Sequence, residues 1–193
     1  MPHTIQISKT WRLSNKRIQT TGDITIWCEG VLKVRGSMEN IKRFLFEGTD
    51  YNDYKYIPHL NDKGIISLEE TAIPREGVTT EIDNNGVYIT NTDELYIKDT
   101  RRMFVASDVI DSCVLRQGDT CLIFIDVKQA WGISADDLAN ISKKYGVDLR
   151  IFATESGMEF CQEIEVINGK ITKDRTIPYK DFNWEAPDPR IGG

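Results

Sequence analysis

Cys121-Leu-Ile-Phe-Ile-Asp-Val127 is the stretch of sequence that decides the fold, because Asp126 alone interrupts an otherwise apolar run. A short apolar run of this kind is typical of a central β-strand that is buried on both faces. The segments on either side of it carry patterns for further strands and for helices. We therefore expect a sheet in which this strand lies inside and not at an edge.

A helix is predicted directly after this strand. Ser134 and Asp137 have the spacing of a capping box, in which the Ser134 hydroxyl accepts from the Asp137 N–H and the Asp137 carboxylate reaches back to the Ser134 N–H. Gly146 stands where a left-handed C-terminal cap is expected. The apolar residues that recur at helical spacing between these two ends are Leu138, Ile141 and Tyr145.

An antiparallel meander is predicted after the helix. Val147–Ala153 and Glu159–Ile167 alternate as strands do, and Ser156-Gly157 turns the chain between them. Asn168-Gly169 is typical of a type I′ hairpin turn, so Lys170–Ile177 returns alongside the preceding strand. Together with the apolar strand and the helix, these segments make one strand–helix–meander unit.

The first half of the chain opens with a second strand–helix unit. Asp23–Gly36 is rich in β-branched residues and is predicted as a strand. Ser37 is a candidate N-cap for a helix over Met38–Glu47. Gly48 follows, where it can take the left-handed conformation that ends a helix.

The middle of the chain is the least regular part. Thr49–Ile82 carries prolines and glycines and is either an insertion with a function or a long loop. Thr79–Asp83 and Val87–Thr92 flank the turn sequence Asn84-Asn85-Gly86, which predicts a hairpin. Two further short strands are predicted at Leu95–Lys98 and Met103–Ala106.

These elements in order predict a single domain of the α+β class. Two strand–helix units that feed one antiparallel sheet make a ferredoxin-like two-layer sandwich, with a mainly antiparallel sheet, two helices on one face and an inserted β-rich segment. The predicted parts are an N-terminal arm or edge strand at 1–22, the first strand–helix unit at 23–48, the β-rich insertion at 49–118, the strand–helix–meander unit at 119–177 and an extended tail at 178–193, in which Phe182 and Trp184 are candidate anchors.

The composition limits the functional classes. The net charge of −6 disfavours non-specific binding to a phosphate backbone. The four cysteines include no Cys-x-x-Cys pair, and the two histidines, His3 and His59, are far apart, so we expect no metal, no cofactor and reduced, mostly buried cysteines. No apolar run reaches the length of a membrane span and no signal-peptide pattern opens the chain, so we expect a cytoplasmic protein without a membrane partner.

Two blocks of the chain resemble the YubB-type ferredoxin-like proteins that plasmids, phages and integrative elements encode. The first block is Trp27–Gly36 with the helix after it, and the second runs from Phe124 through Trp131 to the Asn168-Gly169 turn. Members of that family open the first strand with Trp-Cys-x-Asn, whereas this chain has Gly30 at the Asn position. The resemblance implies a mobile genetic element in a bacterial host as the source, and it implies no catalytic residues.

The candidate binding residues are aromatic or charged side chains, namely Tyr51, Tyr54, Tyr56, Arg101, Arg102, Trp131, Glu159, Glu163 and Glu165. The tyrosines would form a single-stranded nucleic-acid platform if the basic pairs Lys16-Arg17 and Arg101-Arg102 converged on them. Trp131 either stacks on a ligand or closes the core between strand and helix. The glutamates, with Glu155, either mimic phosphates for a basic partner or form a solvated sheet face.

Three functions follow as alternatives. The first is a non-enzymatic binding protein of a phage or other mobile element that inhibits a host defence protein, such as a CRISPR effector nuclease or its ribonucleoprotein, by direct binding. The second is a protein that binds or processes RNA or single-stranded DNA. The third is an enzyme in which Asp126, paired with Asp136 or Asp137, acts as an acid or base or holds magnesium, unless Asp126 lies on the outer face of the sheet. An exposed strand edge would also allow a homodimer.

Overall fold

A computed structural model describes residues 26–60 and 66–178. The N-terminal arm, the Lys16-Arg17 pair and the tail beyond Pro178 lie outside these residues, so the predictions made for them stay predictions. The two helices are α1 (Met38–Glu47) and α2 (Ala135–Tyr145). The strands are β1 (Trp27–Gly36), β2 (Asn52–Leu60), β3 (Ile66–Pro74), β4 (Thr79–Ile82), β5 (Gly86–Thr90), β6 (Met103–Val105), β7 (Val109–Cys113), β8 (Leu115–Gln117), β9 (Thr120–Ala130), β10 (Asp148–Glu155), β11 (Phe160–Ile167) and β12 (Lys170–Pro178).

The main sheet has β1 at its centre. Its strand order is β12-β11-β10-β1-β9-β6, with β8 also paired to β9, and each pair of neighbours is antiparallel. Because β9 and β10 both run antiparallel to β1, they are parallel to each other, and α2 carries the chain across β1 from one to the other. The predicted α+β class with a mostly antiparallel sheet and two helices is confirmed, but there is more sheet than predicted.

The core lies between the main sheet and the helices. Both helices bury one apolar stripe, and they lie side by side, with the rings of Phe44 and Tyr145 at 5.9 Å. Each large apolar side chain that is buried in this way stabilises the fold by about 1.5–3 kcal/mol. The small sheet of β4, β5 and β7 extends the same core through Val87, Ile89 and Ile110.

Of the five capping features that the sequence predicts for the two helices, three are confirmed. Ser37 accepts from the N–H of Asn40, Ser134 accepts from the N–H of Asp137, and Gly146 is left-handed with φ 67°. Gly48 is not left-handed: its φ is −84°, and its N–H continues the helical pattern by donating to the carbonyl of Phe44 at 2.9 Å. The predicted reach of the Asp137 side chain back to the Ser134 N–H is also wrong, since that N–H donates to Gln129 Oε1 at 3.1 Å.

The middle of the chain is more regular than the sequence indicates. The hairpin around Asn84-Asn85-Gly86 is confirmed as β4 and β5, and the strand at 103–106 is confirmed as β6. The segment at 95–98 forms two isolated bridges instead of a strand. Within 49–82, the structure shows a two-stranded ribbon of β2 and β3, where the sequence predicts an irregular insertion or a loop.

The face of the main sheet opposite the helices carries charged side chains in cross-strand pairs. Arg35 pairs with Asp148 at 2.7 Å, and Glu163 pairs with Arg150 at 3.1 Å and with Lys173 at 2.9 Å. Asp126 is exposed on this face, away from α2. Neither described helix has the length and apolar character that a membrane span requires. Cys113 is exposed, and the other three cysteines are buried, as predicted.

Gly30 generates a first prediction. A Cβ at this central position would lie 2.3 Å from the carbonyl oxygen of Phe152 and 2.8 Å from the Cα of Ala153, both on β10. Gly30→Ala therefore forces β1 and β10 apart and lowers the free energy of unfolding by about 1–3 kcal/mol, measured by urea denaturation. Gly86→Ala is the control, because its nearest atom would be at 3.3 Å. Equal losses in the two variants would contradict the close approach of β10 to β1.

Candidate protein-binding surface

The loop between β9 and α2 holds a tryptophan in an unusual backbone conformation. Trp131 has φ 69°, and its side chain is 57% exposed. A bulky residue rarely occupies the left-handed region, where the strain amounts to about 1–3 kcal/mol. Gly132 follows with φ 145°, which glycine tolerates. The backbone thus holds a large aromatic side chain out in solvent, where it contributes little to the core.

Gln162 on β11 fixes this loop. Its Oε1 accepts from the N–H of Ile133 at 2.7 Å, and its Nε2 donates to the carbonyl of Ile133 at 3.3 Å. The N–H of Trp131 donates to the carbonyl of Ile26 at 2.8 Å, on the other side of the loop. A Cβ at Gly132 would lie 3.0 Å from Gln162 Oε1, so glycine also leaves room for the carboxamide. The loop is therefore held from both sides.

Gln129 joins the same loop to its neighbour, the turn that contains Arg101 and Arg102. Its buried carboxamide accepts from the N–H of Ser134 at 3.1 Å and donates to the carbonyl of Arg101 at 3.0 Å. Asp137 accepts from the N–H of Arg101 at 2.8 Å, and the Arg101 guanidinium donates to the Ser134 hydroxyl. Arg101 is thereby fixed at the N-terminal end of α2, although its side chain is 75% exposed.

Glu155, at the end of β10, organises a third turn. Its buried carboxylate accepts from the N–H of Gly157 at 2.7 Å and from the N–H of Met158. Anionic acceptors form stronger hydrogen bonds than neutral ones, so this turn is well fixed. A Cβ at Gly157 would lie 3.3 Å from Cγ2 of Ile26, which places the turn against the residue whose carbonyl holds Trp131.

These turns create one apolar area at the end of the main sheet, which we call the Trp131 surface. Its two exposed members, Met158 at 65% and Trp131 at 57%, are the most exposed large hydrophobic side chains in the part of the chain that the structure describes. We define the Trp131 surface as Ile26, Trp131, Met158 and Phe160, with the neighbouring charged residues Arg101, Arg102 and Glu159. Ile26 links the two turns, and Phe160 lies 3.8 Å from the Cβ position at Gly132. An exposed apolar area with a charged rim is typical of a protein-interaction site.

Two cations, Arg102 and Lys128, lie against the Trp27 ring near this loop, and Lys128 is also ion-paired with Glu94 and Asp93. The carbonyl of Arg102 accepts from the N–H of Ala130 at 3.3 Å, and its guanidinium lies 5.7 Å from the Trp27 ring. The Lys128 ammonium lies 5.5 Å from the same ring. A hydrogen bond with Glu94 raises the pKa of Lys128, so this amine stays charged. These cation–π contacts hold the two cations in place beside the loop.

The structure brings together some of the candidate residues and separates others. Arg101, Arg102 and Trp131 lie side by side, and Glu159, with φ 57°, belongs to the neighbouring turn. Tyr51 is buried, with its hydroxyl 2.8 Å from Thr80 Oγ1 and its ring against Phe46, so burial removes it from any exposed platform. Tyr54 and Tyr56 are residues of the β2–β3 ribbon. Glu163 and Glu165 lie on the open sheet face, where Arg150 pairs with both.

The structure does not bring Asp126 and Asp137 together as an acid–base pair. Asp126 lies on the open face of the sheet, whereas Asp137 is bound to Arg101 at the start of α2 on the other face. Burial raises the pKa of Cys28 to about 12, so this thiol is protonated and is a poor nucleophile. Within residues 26–60 and 66–178, no group of three potential metal ligands lies close enough to hold an ion.

The sequence reasoning missed the buried Gln129 and the half-buried Gln162, and it placed Glu155 in a charged group although the structure buries this side chain. Each of these polar residues occupies a position that faces the core, where the alternation of its strand predicts an apolar residue. Gln129 does so in β9, Glu155 in β10 and Gln162 in β11. A polar residue at an inward position requires a hydrogen-bond partner, and this requirement is a signal that the sequence does contain.

Comparisons with known proteins provide no further guide to the function. No protein-family model matches the chain, and neither the curated proteins nor the solved structures include a significant match. The resemblance to YubB-type proteins therefore remains a prediction, and the function has to be argued from the geometry.

The two hydrogen bonds between the Gln162 carboxamide and the backbone of Ile133, which we call the Gln162 clamp, generate a second prediction. Gln162→Ala leaves the N–H and C=O of Ile133 without their side-chain partner, which costs about 1–3 kcal/mol for each group that stays buried. We expect faster hydrogen exchange at the Ile133 amide and a lower free energy of unfolding. Gln117→Ala, at an exposed position of β8, is the control. Unchanged exchange at Ile133 in the Gln162 variant would show that the clamp does not hold the loop.

Glu163 generates a third prediction. Its hydrogen bond from Lys173, with that from Arg150, lowers the pKa of the carboxyl below its usual value. A lowered pKa means that the ion pairs stabilise the fold above the ordinary carboxyl pKa and that this contribution is lost as the pH falls through the lowered value. The difference in unfolding midpoint between the wild type and Glu163→Gln should therefore be largest near neutral pH and shrink below about pH 4. A difference that does not vary with pH would contradict this account.

Proposed function

We propose that the protein acts by binding another protein through the Trp131 surface and that it catalyses no reaction. The observation that carries the proposal is Trp131 itself, an exposed tryptophan in a strained conformation in a loop that the half-buried Gln162 and the buried Gln129 hold in place. Strain persists in a fold where the surrounding structure enforces it, and it is concentrated at functional sites. Neither the packing of the core nor the capping of α2 requires this side chain to be exposed.

The arrangement suits the physics of protein association. Tryptophan and arginine are the residues enriched among those that dominate binding energy, and the Trp131 surface has one of the first with two of the second beside it. A side chain that is fixed before binding loses little conformational entropy in the complex. The Gln162 clamp and the turn of Glu155 therefore favour tight binding by a small area.

A host defence protein, such as a CRISPR effector nuclease or its ribonucleoprotein, is the partner that we propose. Two features of the sequence support it, namely the resemblance to proteins of mobile genetic elements and the net charge of −6, which suits a partner with a basic nucleic-acid groove. The proposal includes a phage or related element as the source and the cytoplasm of a bacterial host as the location. It also includes a ferredoxin-like relationship, for which the β9–α2–β10 unit with β1 between its strands is the supporting feature.

Nucleic-acid binding has less support. Cations on the open sheet face are largely paired with carboxylates, as in the Arg35–Asp148 and Lys173–Glu163 pairs. Paired cations release fewer counterions from a phosphate backbone, so they add little affinity for nucleic acid. Lys33, whose ammonium lies 5.9 Å from the Phe124 ring, is the feature of this face that most favours a stacked base.

The test compares Trp131→Ala with Tyr88→Ala, which removes an aromatic side chain that is 43% exposed on β5. Each variant is expressed in bacteria that carry an active CRISPR system, and phage plaque formation is counted. We expect the wild type and Tyr88→Ala to protect the phage and Trp131→Ala to fail. Affinity for the protein captured by the wild type should fall by a factor on the order of 30 in Trp131→Ala, as for an interface hot spot.

Two results would overturn the proposal. One is equal activity of Trp131→Ala and the wild type, provided that both unfold at the same denaturant concentration. The other is binding of a single-stranded RNA or DNA oligonucleotide at physiological salt with no captured protein, which would favour the nucleic-acid alternative.

A further inference from the structure

The ribbon of β2 and β3 is firmly rooted in the domain. At its base, the N–H of Arg75 donates to the carbonyl of Tyr51 at 2.9 Å, which continues the ladder into the body of the protein. The buried Tyr51 ring packs on Phe46 with centroids 4.9 Å apart. The Asn52 side chain donates to the carbonyl of Phe46 at 3.1 Å, so both the backbone and the side chains fix the direction in which the ribbon leaves.

Beyond its base, the ribbon has no other strand beside it. Its register runs without a break from the Asn52–Pro74 pair to the Leu60–Ile66 pair, and among the described strands β2 and β3 pair with each other alone. Strands of this length extend about 30 Å. An isolated two-stranded ribbon is marginally stable in water, and a third strand is what normally stabilises it. Within residues 26–60 and 66–178, no strand pairs with either outer edge of the ribbon.

Two prolines show which edge is open. Proline has no N–H, so in a paired strand its nitrogen must face away from the partner strand. Pro58 pairs with Leu68 and Pro74 with Asn52, which are equivalent positions in the ladder. The outward-facing N–H groups of β3 thus belong to alternate residues, Leu68, Glu70 and Ala72. Pro58 lies in the second half of β2, so the outer edge of β2 lacks an N–H group there. Pro74 is the last residue of β3, next to the base, so the outer edge of β3 keeps its N–H groups along the rest of the strand.

The charges of β3 indicate the kind of strand that fits this edge. Glu69 and Glu70 occupy consecutive central positions, and β3 contains no lysine or arginine. Pairing of β3 with β3 of a second copy about its centre would place glutamates against glutamates, which is destabilising. A strand with lysine or arginine at its centre would instead complement the negative charge of the β3 sequence.

The base of the ribbon is connected to the Trp131 surface. The Asp50 carboxylate, beside the base, accepts from the N–H of Tyr96 at 2.7 Å. The Tyr96 ring lies 5.5 Å from the ring of Phe104, which lies 6.0 Å from Trp27. Trp27 in turn contacts Arg102 at the rim of the Trp131 surface. A continuous path of contacts therefore joins the root of the ribbon to the rim of the Trp131 surface.

We propose that the outer edge of β3 accepts a basic, extended segment of the partner protein as a third strand. This inference rests on the proposed function, because it assigns a second contact to the same partner. Main-chain hydrogen bonds to the outward groups of Leu68, Glu70 and Ala72 would provide the affinity, as in other cases of strand addition. The negative charge that the sequence gives β3, with two glutamates and no lysine or arginine, favours a basic segment over an acidic one.

The test uses the full chain and a peptide of about eight residues that alternates lysine with valine, the length of an ordinary strand. Backbone hydrogen exchange is measured at residues 66–73. The basic peptide should slow exchange at Leu68, Glu70 and Ala72, and a peptide that alternates glutamate with valine should not. Ala72→Pro removes an outward N–H from β3 and should weaken peptide binding by at least about tenfold, since it loses a hydrogen bond and introduces a steric block.

Tyr54→Pro is the matched control, because Tyr54 pairs with Ala72 and the substitution alters the opposite edge of the ribbon. It should leave binding of the basic peptide unchanged. Equal slowing by the acidic peptide, equal loss in Tyr54→Pro, or self-association through β3 detected by light scattering would overturn the inference. Trp131→Ala separates the two proposals: it should bind the peptide normally but fail to capture the partner. Partner capture by this variant that equals capture by the wild type refutes the Trp131 surface and not the ribbon edge.

Discussion

The carboxamide of Gln162 holds both backbone groups of Ile133, and the shape of the Trp131 surface depends on this contact. A left-handed tryptophan costs about 1–3 kcal/mol, and two buried backbone groups without partners would cost about as much again for each. The hydrogen bonds therefore offset the strain with a comparable free energy. Without them, the β9–α2 loop would relax to a conformation in which Trp131 turns towards the core or becomes disordered.

Strand β1 pairs antiparallel with both β9 and β10. This pairing places the Gln162–Ile133 contact at the same end of the main sheet as the Trp131 surface. The pairs Trp27–Ala130 and Cys28–Glu155 bring the start of β1 beside the ends of β9 and β10. The loop of Trp131 and the turn of Met158 leave from those two strand ends. Gln162 lies opposite Ala153 on β11, one strand further along, within reach of the loop. Residues that are far apart in the chain thus form a single surface because of the order of the strands.

The local features of this fold could be predicted from the sequence, and the long-range ones could not. Ser37, Ser134 and Gly146 act within one turn of their helices, so short-range spacing was enough to predict their roles. The conformation of Gly48 depends on where the chain goes after α1, and the partner of Gln162 lies 29 positions away in the sequence. Such contacts follow from the strand order, which no local pattern contains.

The candidate site shows the same division. Trp131 could be singled out because an aromatic residue before a helix either stacks on a ligand or closes the core, but its exposure follows from contacts that lie outside its own segment. Glu163 and Glu165 were predicted as a charged group, yet their pairing with Arg150 needs the register of β10 and β11. The β2–β3 ribbon was predicted as an irregular insertion or a loop, because Pro58 and Pro74 normally interrupt strands. Its strands accept both prolines because their outer edges are unpaired.

The central claim is that the free protein already holds Trp131 in the conformation in which it meets its partner. The most direct measurement is the intraresidue cross-relaxation between the amide and α protons of Trp131 in solution, because these protons are close together only when φ is positive. The account predicts an intense cross-peak for the protein without any partner. A weak cross-peak typical of negative φ, or one that becomes intense only when a partner is added, would contradict it.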